Sequence, residues 1–215
     1  MADLTDAIVI NFAPGSKVGL AFAYLLRNER DGAKPGLVVG VSSAASRPFV
    51  EGTGLYDAVA QTDEDPVATV ERVRREGKAN PDAKIVVCDF GGRAGSALRW
   101  VQALRQGREK KDLVYLGIGS EIAEGFGAEA AEHMKADAAA GLVQVNADDM
   151  LTRAIEKVGP RAFYEGLDAS WEGLRSAGIK GFKVRWGEGM EDVIKGWDSL
   201  ARGEVGSDEG LAFKI

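Results

Sequence analysis

The feature that most constrains this chain is a repeated alternation: short, continuously apolar, β-branched runs, each followed by a turn and then by a longer stretch with helical spacing. Ala7-Ile8-Val9-Ile10-Asn11-Phe12 is the first such run, and Pro14-Gly15-Ser16 ends it. A run with no polar partner at alternate positions reads as a strand buried on both faces. From Ser16 onward, Val18, Phe22 and the pair Leu25 and Leu26 stand three or four residues apart, with Leu20 among them, which predicts a helix of about four turns. Gly32 and Pro35-Gly36 close it, and Leu37 to Val41 supplies a second buried strand, completing a βαβ unit.

The alternation continues through a short helix at Arg47 to Gly52, a strand at Asp57 to Thr62 and a charged helix at Pro66 to Gly77. A strand at Lys84 to Asp89, a helix at Ala94 to Gln106 and a strand at Asp112 to Ile118 follow. Five continuous apolar strands with helices between them predict an α/β fold: a doubly wound, mostly parallel Rossmann-type sheet with helices on both faces. Glu121 to Gly141 is rich in Ala, Glu and Gly and stays unassigned. Beyond it, helices are expected at Asp148 to Val158, Pro160 to Ala177 and Met190 to Arg202, with strands at Gly181 to Trp186 and Leu211 to Ile215. The whole reads as one domain over residues 1–215, with a C-terminal helix-strand-helix-strand extension from about residue 148. A length of 215 residues suits one generous domain.

Composition narrows the function classes. Hydrophobic residues at 45% and charged residues at 28% match a globular protein. A net charge of -6, from 27 Lys plus Arg against 33 Asp plus Glu, disfavours nucleic acid as a partner. The longest apolar runs fall well short of the roughly 20 residues that span a bilayer, so no membrane segment is expected. One cysteine, Cys88, and one histidine, His133, are too few for a Cys/His zinc site, and no metal is expected. The acidic start, Met1 to Asp6, lacks the basic flank of a signal peptide, which predicts a cytoplasmic protein.

In an open α/β sheet, ligands sit outside the carboxyl ends of the strands, so the residues just after each strand carry the functional signal. The first turn lacks G-x-G-x-x-G, yet Ala13, Ser16 and Gly19 repeat its spacing of small residues, with Gly15 between them. Small side chains let a diphosphate approach the helix N-terminus, where free N–H groups and the helix dipole attract anions. Ser16 adds a hydroxyl and Lys17 a charge. The alternative is a tight turn that merely needs small residues. After the second strand, Ser42, Ser43 and Arg47 stand where an NAD-specific fold commonly carries a carboxylate. Two hydroxyls and a guanidinium suit a 2′-phosphate, which favours NADP. The competing reading has Ser42 and Ser46 capping a short helix and Arg47 in solvent.

After the fourth and fifth strands, Gly91 and Gly117 would leave room for a flat nicotinamide ring. Asp89 reads as a cap for the next helix, with orienting a substrate as the alternative. Cys88 reads as an inert packed thiol, His133 as a structural or solvent-facing imidazole, and Trp100, Trp171, Trp186 and Trp197 as core or interface area. Thr62-Asp63-Glu64-Asp65 reads as a solvated loop leading into a helix start.

These residues carry a family resemblance. Ala13-x-x-Ser16-x-x-Gly19 is similar to the A-x-x-G-x-x-G turn of the quinone-oxidoreductase branch of the medium-chain dehydrogenase/reductase superfamily, with Ser16 replacing a glycine. Ser16 to Ala21, Gly40 to Ser43 and Phe49 to Asp57, together with the tail from Trp171 to Ile215, resemble an uncharacterised reductase-like family related to that superfamily. The resemblance implies a nucleotide-binding domain only. The family's N-terminal barrel-like catalytic domain is expected to be absent, because the first strand begins at about Ala7. It therefore supports dinucleotide binding more than hydride transfer, and it carries over no catalytic residue.

The leading expectation is an NADP-binding reductase-like protein acting on an enone or quinone-type small molecule. Two others are a cofactor-free biosynthetic enzyme such as a cyclase or isomerase, and a non-catalytic binding or scaffold subunit. A homodimer through the strand edge near Phe182 to Trp186 is expected as the partner state.

Overall fold

The computed structural model describes residues 3–28, 34–106, 108–109, 112–119 and 128–215. Gly32, expected to close the first helix, and the first part of the unassigned segment lie outside these residues. Six strands form the main sheet: β1 (Ile8–Phe12), β2 (Leu37–Ser42), β3 (Ala58–Gln61), β4 (Ile85–Asp89), β5 (Leu113–Gly117) and β6 (Leu142–Gln144). Their order is β3-β2-β1-β4-β5-β6, and every pair is parallel. The order turns back between β1 and β4, which makes that junction the topological switch point where such sheets bind dinucleotides.

Burial explains the strand sequences. All of β1 and β2 is buried, and their side chains alternate between two cores. Ile8, Ile10 and Phe12 join Val39, Val87, Val70, Val73, Trp100 and Leu104, beneath α3 (Pro66–Glu76) and α4 (Ser96–Arg105). Ala7 and Val9 join Val38, Val86 and Cys88 against Leu26 and Phe22 of α1 (Lys17–Asn28). A third cluster seats Phe49 and Val50 of α2 (Arg47–Thr53) against Leu20 and Val59. The α3 start follows the local rules: Asp65 accepts from the Ala68 amide at 2.7 Å, and Pro66 occupies the first turn.

Two elements differ from the sequence expectation. The sheet has a sixth strand, the three-residue β6, which follows α5 (Ala128–Ala139) after a left-handed Gly141 (φ +78°). The fourth helix begins at Ser96, after a single 3-10 turn at Arg93–Gly95, because Ala94 and Gly95 both take left-handed backbone (φ +53° and +60°).

Beyond the sheet lie α6 (Ala147–Val158), α7 (Pro160–Ala177), β7 (Lys183–Glu188), α8 (Gly189–Ala201) and β8 (Glu209–Lys214). β7 pairs only with β8 among the described residues, in a separate parallel ribbon. The strand expected near Phe182 to Trp186 is thus no edge of the main sheet. Ile179 packs on the third cluster, and Phe182 lies 6.5 Å from Phe49 between ring centroids. No described helix is long and apolar enough to cross a membrane.

Candidate nucleotide site at the carboxyl rim

The carboxyl ends of β3, β2, β1, β4 and β5 form one continuous rim. The Thr62 amide donates to the Ser42 carbonyl (3.0 Å), the Phe90 amide to Phe12 (3.4 Å) and the Ile118 amide to Asp89 (2.8 Å). The turns after the strands are therefore tied to one another, and most of the residues singled out from the sequence lie on or beside this rim.

The turn after β1 is set by its own hydrogen bonds. Ala13 is left-handed (φ +55°), and its carbonyl accepts from the Ser16 amide at 3.0 Å. Ser16 Oγ accepts from the Gly19 amide at 3.1 Å, as a helix-capping hydroxyl does, which leaves its own proton available to a ligand. A side chain at Gly19 would lie 2.7 Å from the Ala13 carbonyl, so this glycine is demanded by the turn itself. Gly15 is different: an added Cβ would make only ordinary contacts, 3.5 Å from Phe49 and Val50. The amides of Gly15, Lys17 and Val18 make none of the hydrogen bonds among the described residues. Lys17 is exposed and forms no ion pair there, and the first turn of α1 carries no acidic residue. Unpaired amides, a helix N-terminus and a lysine make an anion-attracting corner.

Two residues that the sequence reading missed hold this turn from below. The Tyr56 hydroxyl donates to the Pro14 carbonyl at 2.9 Å, with the Gly19 carbonyl a second acceptor at 3.2 Å. It accepts from Asn11 Nδ2 at 3.2 Å. Asn11 is fully buried, and its Oδ1 has no partner among the described residues. Burial pushes the Tyr56 phenol well above its ordinary value, outweighing the opposing Asn11 hydrogen bond, so the hydroxyl stays protonated. Gly40 completes the fit, since a Cβ there would lie 3.1 Å from Pro14 and 3.2 Å from Tyr56.

At the end of β2, Ser42 is buried and Ser43 exposed, with Ser43 Oγ donating to Ser46 Oγ at 3.1 Å. Ser46 occupies the cap position of α2 but makes no side-chain cap. Arg47 is not free in solvent. Its Nε donates to Glu51 at 2.7 Å, and a second guanidinium nitrogen lies 3.8 Å from Glu64, which also pairs with Arg72 at 3.3 Å. The side-chain hydrogen bond to Glu51 foremost, with the charges of Glu51 and Glu64, holds the Arg47 guanidinium above its ordinary value against the opposing effect of burial.

Glu64 corrects the solvated-loop reading. Its carboxylate accepts from the Gln61 amide at 2.9 Å and from the Thr69 hydroxyl at 3.1 Å. Burial would raise its pKa, but these bonds with Arg72 and Arg47 together bring it below the ordinary value. Sequence spacing gave no signal for this residue, because its partners come from α2, α3 and the β3 turn.

At the other end of the rim, Asp89 ends β4. Its Oδ1 accepts from the Gly91 and Gly92 amides at 2.9 and 2.6 Å, which folds the turn after β4 back on itself. Gly91 takes φ +112°, a backbone conformation that favours glycine. A side chain at Gly117 would meet Gln144 at 2.9 Å and Leu142 at 3.0 Å, so this glycine is needed for packing against β6. Cys88 is buried behind the rim, and burial foremost, with Asp89, pushes its thiol up to about 12. That is an inert thiol. His133 is exposed on α5. Among the described residues no group of three His, Cys, Asp or Glu side chains could hold a metal ion.

Residues 1–206 match the model of a family described as protein of unknown function (DUF2855). The chain belongs to that family. No curated protein matches the chain. Among solved structures, mycobacterial Rv1454c complexed with NADPH is similar over 98% of this chain and 57% of its own, with a TM-score of 0.53 and 14% identity. CurA from Vibrio vulnificus is similar over the same shares, with a TM-score of 0.52 and 13% identity. This chain thus spans a little over half the length of those proteins, and the likeness is one of fold.

Proposed function

We propose that this DUF2855 protein binds NADP(H) across the carboxyl rim of its sheet and is a reductase-like protein related to the quinone-oxidoreductase branch of the medium-chain reductases. The observation that carries the reading is the first turn: three amides at Gly15, Lys17 and Val18, unpaired among the described residues, sit at the N-terminus of α1, beside the switch point of a β3-β2-β1-β4-β5-β6 sheet. The NADPH complex of a structural neighbour supports the same coenzyme.

In this reading those amides, Ser16 Oγ and Lys17 hold the diphosphate, with Ala13 and Gly19 shaping the turn. Ser42, Ser43 and Arg47 receive the 2′-phosphate at the β2 end. Gly91 gives the nicotinamide end a backbone wall, and Gly117 backs it from β5. A bound nicotinamide coenzyme supplies the hydride, and the chain's part is to bind and orient it. The substrate we propose is an enone or quinone-type small molecule. As partner we propose a second copy of the chain, docked along β7.

Titration calorimetry with NADPH and NADH tests the coenzyme reading. NADPH should bind more tightly, and Arg47→Ala should weaken NADPH by about ten- to hundredfold while leaving NADH unchanged, as expected for loss of a charge-assisted phosphate contact. No binding of either coenzyme at millimolar concentration would end the reading.

A further inference from the structure

We infer that Glu64 sets the degree of preference between a 2′-phosphorylated and an unphosphorylated adenosine, acting as a fixed counter-charge that competes with the phosphate for Arg47 and Arg72. This rests on the coenzyme reading above and deepens it at one end of the site.

The argument starts from which carboxylate can move. Glu51 and Glu64 both face Arg47, but they are held differently. Glu51 lies on α2 with its side chain 48% exposed, and Arg47 is its only ion-pair partner among the described residues. A change of rotamer releases it. Glu64 is 28% exposed and anchored on both oxygens: Oε1 by the Gln61 amide, Oε2 by the Thr69 hydroxyl and Arg72. Moving it would strand a backbone N–H and a hydroxyl in a partly buried turn. When a dianion approaches Arg47, Glu51 swings away and Glu64 stays.

The position of Glu64 makes this matter for the coenzyme. The turn that carries it is bonded to the β2 end through the Thr62 amide and the Ser42 carbonyl, so the charge sits beside Ser42, Ser43 and Arg47. A sequence window after β2 shows no carboxylate, yet folding delivers one from the end of β3. Arg99, whose guanidinium donates to the Thr62 carbonyl, adds a third cation on the same turn. The 2′-phosphate therefore meets arginines already partly neutralised. Glu64 weakens its attraction without affecting an adenosine that lacks the phosphate.

The test uses adenosine 2′,5′-bisphosphate and ADP as probes, titrated into the full chain and into Glu64→Gln. Glutamine keeps an acceptor for the Gln61 amide, removes the charge and replaces the second oxygen with an NH2 from which the Thr69 hydroxyl can accept. Affinity for the bisphosphate should rise about three- to tenfold while affinity for ADP stays unchanged. The gain should shrink in Glu64→Gln/Arg47→Ala and vanish when Arg72→Ala is added, because the charge acts through both arginines. Glu51→Gln, on an exposed helix face, should raise bisphosphate affinity by about twofold or less, and it gives the comparison should the Glu64 variant fold poorly. A Glu51 effect equal to or larger than that of Glu64 overturns the proposal. So does bisphosphate affinity that is unchanged or reduced in folded Glu64→Gln, or a gain shared equally by ADP. A wild-type chain that binds neither probe nor NADPH overturns the coenzyme reading and this proposal together; one that binds both probes with no Glu64 effect overturns this proposal alone.

Discussion

The Tyr56 hydroxyl joins three segments that are distant in sequence: Asn11 on β1, Pro14 in the turn and Gly19 in α1. Replacing it with phenylalanine keeps the ring against Gly40 and removes the hydroxyl. Asn11 Nδ2 then keeps only the long 3.4 Å bond to the Gly19 carbonyl, and the Pro14 carbonyl loses its donor. Tyr56→Phe should lower unfolding free energy by about 1–3 kcal/mol in a urea titration and weaken NADPH by loosening the turn. Wild-type stability with wild-type NADPH affinity would show that the latch holds nothing. Single residues were legible only when their neighbours were near in sequence. Cys88, inside an apolar run, reads correctly as a packed thiol. Tyr56 and Glu64 are invisible to spacing, because each acts on partners brought in by the sheet.

At the scale of elements, the continuous apolar strands and their following helices are readable because burial on both faces leaves no polar alternation to confuse them. The short β6 was missed for the opposite reason: Leu142, Val143 and Gln144 are partly or fully exposed. The β7–β8 ribbon poses a separate question. Parallel pairs occur almost only where both faces are covered, and an isolated two-stranded unit is marginal. One face meets α8 closely, since side chains at Gly187 or Gly196 would collide with Phe213. Val184 and Trp186 on β7 remain 49% and 72% exposed, and Met190, Ile194 and Trp197 form an uncovered apolar stripe on α8. β7 carries Lys183 and Arg185 towards one end and Glu188 at the other. Two copies running antiparallel would set the basic end of each against the acidic end of its partner, the self-complementary arrangement of a two-fold dimer. Sedimentation of the wild-type chain should show a dimer at tens of micromolar concentration, and Trp186→Glu should shift it to monomer. A wild-type chain that is monomeric at that concentration would contradict the proposed partner.

The whole molecule is organised around one consequence of strand order. Because β1 lies between β2 and β4, the helices leaving β1 and β4 pack on opposite faces, and the rim between them opens where α1 begins. The architecture was legible from the alternation of runs. The chemistry of the site was legible only in part, since the small-residue turn after β1 announces itself while the ion pairs around Arg47 and the latch beneath Pro14 do not. The central claim is that the peptide groups at the start of α1 receive a diphosphate, and amide chemical shifts report on those groups one by one. On addition of NADPH, the Gly15, Lys17 and Val18 resonances should move together and saturate, while those of β8 stay in place. Saturating NADPH that leaves these three resonances unmoved would contradict the account.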